Sequence, residues 1–216
     1  MKEHTAKSLV DIYDKLYGMR GEWKHPTKRS NGKPITIGRY GGPTTRNARF
    51  VNFIEANIPK EASVHDAGCG RGHLICKLGE LGYNVSGSDC APSLFFQELR
   101  DLPAQLVTYE DLRVFGQDRF NVVVSNDVLE HLVNEDAVDK AIADLAFIAK
   151  DWLLVSVGTK PAKNFPSVNR SLGIDDLHRV KRAGGWWRDR LNKHMEEIEH
   201  HRSRNNWFQF GRVRRS

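Results

Sequence analysis

The sequence predicts an α/β fold: an open, doubly wound sheet, mostly parallel, with helices on both faces. Three observations predict it. A short apolar-leaning run, Ala62-Ser63-Val64-His65, rises into Asp66-Ala67-Gly68-Cys69-Gly70-Arg71-Gly72, and a helical repeat of Leu74, Ile75, Leu78 and Leu81 follows at once. That is strand, glycine turn, helix. A second run, Asn84-Val85-Ser86-Gly87-Ser88, ends on Asp89, twenty-three positions after Asp66, which closes a βαβ unit of ordinary length. The third is Phe120 to Val124, where Val122-Val123-Val124 is continuously apolar, as a strand covered on both faces should be.

The remaining elements follow in chain order. Leu9, Val10, Ile12, Tyr13, Leu16 and Tyr17 recur at spacings of one, three and four, which predicts an amphipathic helix over residues 5 to 17, ended by Gly18 and Gly21. From Trp23 to Pro43 the composition turns to Gly, Pro, Lys and Arg, and we expect a long basic loop covering an active site. Thr44 or Thr45 can cap the next helix, whose apolar face is Phe50, Val51, Phe53, Ile54 and Ile58 before Pro59 stops it. After Asp89 come a short helix with Leu94, Phe95, Phe96 and Leu99, and a third strand over Ala104 to Thr108. Ala137 to Ala149 reads as a helix and Trp152 to Val157 as the fifth strand, followed by a second basic loop from Gly158. Met195–His200 and Asn206–Arg212 can pair as an antiparallel hairpin through Ser203-Arg204-Asn205. Residues 1–60 read as N-terminal helices with a basic lid, and 61–216 as the core of a single domain.

Composition narrows the partners. No run of eighteen apolar residues exists and Met1-Lys2-Glu3-His4 does not begin a signal peptide, so the expectation is a cytoplasmic protein without membrane insertion. Cys69, Cys76 and Cys90 are odd in number and lack paired spacing, which argues for reduced thiols over a zinc site. The net charge of +6 divides unevenly: +7 over residues 1–60, −9 over 61–159 and +8 over 160–216. An anionic substrate follows as an expectation, with a solvated basic surface as the plain alternative.

The glycine turn narrows the ligand further. Glycines at 68, 70 and 72 remove the Cβ atoms that would hold a ligand off the backbone, and Asp89 at the neighbouring tip can take both hydroxyls of a ribose. A dinucleotide turn would want a glycine or alanine at 73, where this chain has His73, and Asp66 would repel a pyrophosphate while attracting a cation. Asp66-Ala67-Gly68-Cys69-Gly70-Arg71-Gly72 with Asp89 resembles the first cofactor motif of class I S-adenosylmethionine-dependent methyltransferases. Phe120 to Leu132, including Ser125-Asn126-Asp127-Val128-Leu129-Glu130-His131, is similar to that family's fourth strand and following helix start. The resemblance implies a Rossmann-like, seven-stranded sheet with a C-terminal antiparallel hairpin, and S-adenosylmethionine as cofactor. It places Asp66, Gly68, Cys69, Gly70, Gly72, Asp89, Cys90 and Asn126 around that cofactor. Glu110 or Asp111, with Leu112, would meet the adenine, although the family's usual Gly-Asp pair is absent.

For the chemistry, Asp127, Glu130, His131 and His178 are the titratable groups expected near the methyl group, the two histidines having suitable intrinsic pKa for a base. Trp23, Arg39, Tyr40, Lys160 and Arg179 are the candidates for acceptor contacts. Asp127-x-x-Glu130-His131 is similar to the E-x-x-E-H arrangement with which plant-type small-RNA 2′-O-methyltransferases and ubiquinone-pathway O-methyltransferases hold Mg²⁺, and His178 could complete such a set. An L-E-H triplet is also common without metal and Asp127 is a shorter arm, so the reading kept is metal-free, with Mg²⁺ as the alternative. The leading function is O-methylation of a small anionic metabolite or sugar. The alternatives are an RNA methyltransferase, with Trp23, Trp186, Trp187 and Trp207 as stacking surfaces, and a non-catalytic cofactor-binding adaptor.

Overall fold

The computed structural model describes residues 6–18, 23–28, 34–37, 47–97, 99, 101–161 and 175–215. Its centre is a seven-stranded sheet. In chain order the elements are α1 (Ala6–Gly18), β1 (Trp23–Lys28), β2 (Pro34–Ile37), α2 (Asn47–Asn57), β3 (Ser63–Ala67), α3 (His73–Glu80), β4 (Asn84–Asp89), α4 (Pro92–Gln97), β5 (Ala104–Leu106), β6 (Phe120–Asn126), α5 (Glu135–Ile148), β7 (Ala149–Gly158), α6 (Gly184–Leu191), β8 (Met195–Arg202) and β9 (Asn206–Val213). The sheet order is β5-β4-β3-β6-β7-β9-β8. Strands β3 to β7 are parallel, β9 runs antiparallel to β7, and β8 pairs antiparallel with β9. The expected doubly wound sheet and C-terminal hairpin are both present.

The strand order reverses at β3, whose two neighbours β4 and β6 leave toward opposite edges. A crevice therefore opens at the carboxyl ends of these strands, where open α/β sheets bind ligands. Both sheet faces are covered, which is why β6 and β7 read as unbroken apolar runs. One layer packs Leu145, Ile148, Trp187 and Leu191 from α5 and α6 onto Val123, Leu153 and Val155. The other packs Phe50 and Ile54 of α2 and Leu74 and Leu78 of α3 onto Val122, Val124 and Leu154. Asn134 starts α5 by accepting a hydrogen bond from the Ala137 N–H at 2.8 Å, and Glu135 and Asp136 place negative charge in the first turn.

One expectation fails in part. The long basic loop expected over 23–43 contains a two-stranded antiparallel ribbon, β1 against β2, with Trp23 opposite Ile37. Its Gly-, Pro- and Lys-rich composition concealed the β-branched run Ile35-Thr36-Ile37, which favours a strand. The third strand is shorter than expected, and the fifth begins at Ala149, directly after α5.

Candidate active site

The glycine turn between β3 and α3 is built on left-handed backbone: φ is 78° at Gly68, 53° at Gly70 and 75° at Gly72. Gly68 is required twice over, since a Cβ there would also lie 2.5 Å from Cγ2 of Val128. The Gly68 and Cys69 N–H groups both donate to the Ser88 carbonyl, which fastens the turn to the tip of β4. Asp89, at that tip, accepts from Gly70 N at 2.9 Å and Ala91 N at 3.1 Å. The carboxylates of Asp66 and Asp89 are thus brought to adjacent strand ends, both almost entirely buried.

Their electrostatics follow from that burial. Asp66 is pushed up to about 7, first by loss of solvent and then by the charge of Asp89, and its Oδ1 accepts no hydrogen bond among the described residues. Burial also raises Asp89, against the opposing effect of the Gly70, Ala91 and Cys90 N–H groups. Cys69 rises for the same reason, and Cys90, next to Asp89, is pushed up to about 12, so both stay thiols. All three cysteines are free of disulfides. Beneath the turn His65 is stacked on Phe120 at 4.2 Å, with ring nitrogens 2.9 Å from Ser86 Oγ and 3.0 Å from Ser88 Oγ. Burial lowers its pKa to about 3, and the ring is neutral.

The other residues expected at the cofactor differ in placement. Leu112 is fully buried within the core layer against α5. Glu110 and Asp111 are exposed, with Asp111 accepting from Thr108 Oγ1 at 2.9 Å. Asn126 donates to Asn47 Oδ1 and accepts from Ser156 Oγ, which ties β6 to α2 and β7. Of the acceptor candidates, Lys160 is exposed and Arg179 half-buried. Arg39, Tyr40 and the Trp23 side chain lie outside the described residues.

The four groups expected at the methyl group do not stay together. Asp127 adopts φ 56°, and its Oδ1 accepts from Ser156 Oγ at 3.2 Å and Asn206 Nδ2 at 3.3 Å, which turns it toward β7 and β9. Glu130, His131 and His178 do converge, with one ligand-type atom from each within 4.8 Å of the others. Glu130 is fully buried, and its Oε1 accepts the Gly158 N–H at 2.6 Å. The Glu130 carbonyl takes the Arg179 and Val180 N–H groups, which holds residues 178–180 against the turn after β6. His131 Nδ1 lies 2.9 Å from the Leu177 carbonyl, and His178 Nδ1 lies 2.5 Å from the Lys160 carbonyl. A carbonyl only accepts, so each Nδ1 carries hydrogen and, in the neutral rings, each Nε2 carries the lone pair. Gly158 must lack a side chain, because a Cβ would meet His178 Cε1 at 2.5 Å and Glu130 Oε1 at 2.9 Å.

Several residues at the site escaped the sequence reading. Tyr17 OH is 3.0 Å from where a Gly70 Cβ would be. Tyr13 of the same helix has its ring 6.3 Å from Tyr17 and 5.6 Å from His131, which is itself 4.8 Å from the His178 ring. An aromatic row therefore runs from the glycine turn to the histidine cluster. Their i, i+4 spacing marks Tyr13 and Tyr17 as one helix face, but nothing local says what that face covers. Tyr109 directly precedes Glu110 and Asp111, where the acidic residue was sought; its hydroxyl donates to the Ala67 carbonyl at 2.7 Å and lies 2.8 Å from Ser125 Oγ. Arg71, buried, donates to the Tyr17 carbonyl.

Comparison with known proteins agrees with this architecture. No curated protein sequence matches the chain. Magnesium protoporphyrin IX methyltransferase of Synechocystis PCC 6803, solved with bound S-adenosylhomocysteine, is 22% identical with a TM-score of 0.61, over 95% of this chain and 93% of that one. The 1,6-didemethyltoxoflavin-N1-methyltransferase of Burkholderia thailandensis, bound to 1,6-didemethyltoxoflavin and S-adenosylhomocysteine, is 17% identical with a TM-score of 0.60 over 78% of each chain. A Pyrococcus horikoshii OT3 protein gives a TM-score of 0.63 at 10% identity, covering 81% of this chain and 94% of that one. At such identities the likeness is one of fold. The methyltransferase-domain family itself matches residues 42–209, from before α2 into β9. With that span matched, glycine turn and Asp89 included, the chain belongs to the methyltransferase-domain family, among the class I S-adenosylmethionine-dependent methyltransferases.

Proposed function

We propose that this methyltransferase moves the methyl group of S-adenosylmethionine onto an oxygen of a small anionic metabolite or sugar, with Glu130, His131 and His178 at the acceptor oxygen. The single observation that carries the reading is the position of that cluster. Val128 packs against Gly68 of the glycine turn, and the cluster begins two residues later on the same rim. The acceptor oxygen attacks the methyl carbon as the carbon–sulfur bond breaks; the sulfur keeps the electron pair, and S-adenosylhomocysteine departs. Such a displacement draws most of its rate from alignment, while a hydroxyl acceptor must also lose its proton, which the cluster assists. Asp66 would face the cationic end of the cofactor and Asp89 its ribose.

Anionic character in the acceptor is supported by Arg179. Its Nη2 is buried without a hydrogen-bond partner among the described residues, beside His178. Many other basic side chains are already paired: Arg182 and Arg190 with Glu135, Arg188 with Glu197, Arg215 with Asp118. An RNA acceptor finds less support, since Trp187 and Trp207 are core residues and Arg190 lies 3.5 Å over the Trp186 ring. The test is incubation with methyl-labelled cofactor and cell extract separated into nucleic acid, glycan and small-molecule pools. Label in an acidic small-molecule or glycan fraction, stable to base as an ether is, supports the reading. Label confined to nucleic acid ends it.

A further inference from the structure

We propose that Glu130, His131 and His178 bind one divalent first-row transition ion, Zn²⁺, Fe²⁺ or Mn²⁺ rather than Mg²⁺, and that the ion takes the acceptor oxygen as a further ligand. This rests on the acceptor reading above and deepens it. The first argument is geometric. One ring nitrogen each of His131 and His178 and a Glu130 carboxylate oxygen lie within 4.8 Å of one another, and His178 Nε2 lies 4.0 Å from Glu130 Oε1. An ion bonded at about 2.1 Å joins atoms up to about 4 Å apart, so closure takes side-chain shifts of less than about 1 Å.

The second argument is orientation. A ligating histidine presents one nitrogen to the metal and donates the other N–H to a carbonyl or carboxylate, which fixes both ring and tautomer. Both rings here have that arrangement, through the Leu177 and Lys160 carbonyls. Glu130 is oriented in the same manner, its carboxylate held through Oε1 by the Gly158 N–H with lone pairs left for the ion. Three groups drawn from two segments are thereby aimed at one point, and Gly158 keeps that point open.

The third argument concerns the identity of the ion. Two imidazoles and one carboxylate suit Zn²⁺, Fe²⁺ and Mn²⁺, whereas Mg²⁺ prefers an all-oxygen octahedron. The carboxylate that would have made the set richer in oxygen, Asp127, is bound to Ser156 and Asn206. Three protein ligands leave coordination positions for substrate, the pattern of a working metal site and not of a closed structural one. A hydroxyl on the ion becomes more acidic, its proton passes to solvent, and the metal-held oxygen then attacks the methyl carbon.

The test uses the full chain stripped with a chelator and dialysed, then titrated separately with Zn²⁺, Mn²⁺, Co²⁺ and Mg²⁺. We expect one tightly held Zn²⁺ or Mn²⁺ per chain by elemental analysis, visible d–d absorption from the Co²⁺ form, and Mg²⁺ bound at least 100-fold more weakly. His178→Gln is the preferred variant, because the ring is less completely buried than Glu130 and S-adenosylhomocysteine binding by calorimetry reports whether the fold survives. It should weaken the ion at least 10-fold, and Asp127→Asn should leave ion affinity within 3-fold of the parent. No stoichiometric transition ion, or equal affinity in His178→Gln, overturns the metal site. A stripped enzyme that still methylates its acceptor at full rate overturns it while sparing the proposed function. A bound ion with label delivered only to nucleic acid refutes the proposed acceptor and with it the step assigned to the ion.

Discussion

Replacing Asp66 with Asn should make the empty protein more stable at neutral pH and above while weakening its hold on the cofactor. The side chain is 4% exposed and its carboxyl is raised from 3.8 to about 7. Because the folded state holds the proton more tightly, this group adds stability in acid and loses it as pH rises from about 4 to 7. Relative to a neutral isostere, linkage gives a charge penalty of about 4 kcal/mol at pH 8 and about 2 kcal/mol at pH 5. Asn brings packing and hydrogen-bonding changes of its own, but these do not titrate. The advantage of Asp66→Asn over the parent should therefore grow by about 2–3 kcal/mol between pH 5 and pH 8. Urea unfolding of both proteins at the two values measures it. The other shifted groups, His65 and Asp89, are common to both chains and largely cancel in the difference. An advantage that does not change with pH would show that Asp66 is not held protonated and would remove this account of the site. Calorimetry with S-adenosylhomocysteine should show binding weakened by about 10- to 100-fold in the variant, the loss expected for a charge-assisted contact.

Four further outcomes follow from the packing and the site. Asp89→Ala should weaken S-adenosylhomocysteine by at least 10-fold in calorimetry, since it removes the carboxylate that orders the Gly70 and Ala91 N–H groups. Gly68→Ala combines a left-handed φ with a Cβ 2.5 Å from Val128, and should cost about 1–3 kcal/mol in chemical unfolding, part of which Val128→Ala restores. Trp187→Ala empties a fully buried site under α6 and should cost about 3–5 kcal/mol by the same assay. Asn134→Ala removes the cap of α5 at a cost of about 1 kcal/mol, read as a lower urea midpoint with an unchanged slope.

What was legible in the sequence was what short-range spacing dictates. The glycine turn, Asp89 and the order of strands from β3 to β7 are encoded within segments of a few dozen residues, and period and turn chemistry reveal them. Glu130 and His131 are likewise neighbours in sequence. His178 joins them only because residues 177–180 return across the turn after β6, the Leu177 carbonyl meeting a ring 46 positions earlier. No local spacing announces such a contact; His178 entered the sequence reading as a residue that could complete the Asp127-x-x-Glu130-His131 set. Asp127 illustrates the converse error: helical spacing would align it with Glu130 and His131, but its left-handed backbone breaks that spacing and sends the carboxylate to Ser156. The aromatic row of Tyr17, Tyr13 and His131 depends on where α1 docks, which hydrophobic periodicity leaves open.

The buried pair at the heart of the site explains a feature that first looks unrelated, the neutral histidine one residue before Asp66. A charged His65 would neutralise part of the field of Asp66 and Asp89 and lessen the attraction for a cationic ligand. Its surroundings prevent this: Phe120 stacks on the ring, Phe115 meets its edge, and the serine partners Ser86 and Ser88 satisfy both nitrogens without supplying charge. Keeping the ring neutral has a consequence in acid. Its pKa falls from 6.5 to about 3, so the unfolded chain binds more protons and this residue's contribution to stability declines as pH drops from about 6.5 toward 3. Asp66 changes stability in the opposite direction over an overlapping range, and at pH 5 the two effects, each about 2 kcal/mol relative to pH 7, nearly cancel. The combined contribution of these two groups is thus nearly flat although both are strongly shifted, and Asp66→Asn, by removing one of them, should make the stability fall more steeply toward acid than in the parent.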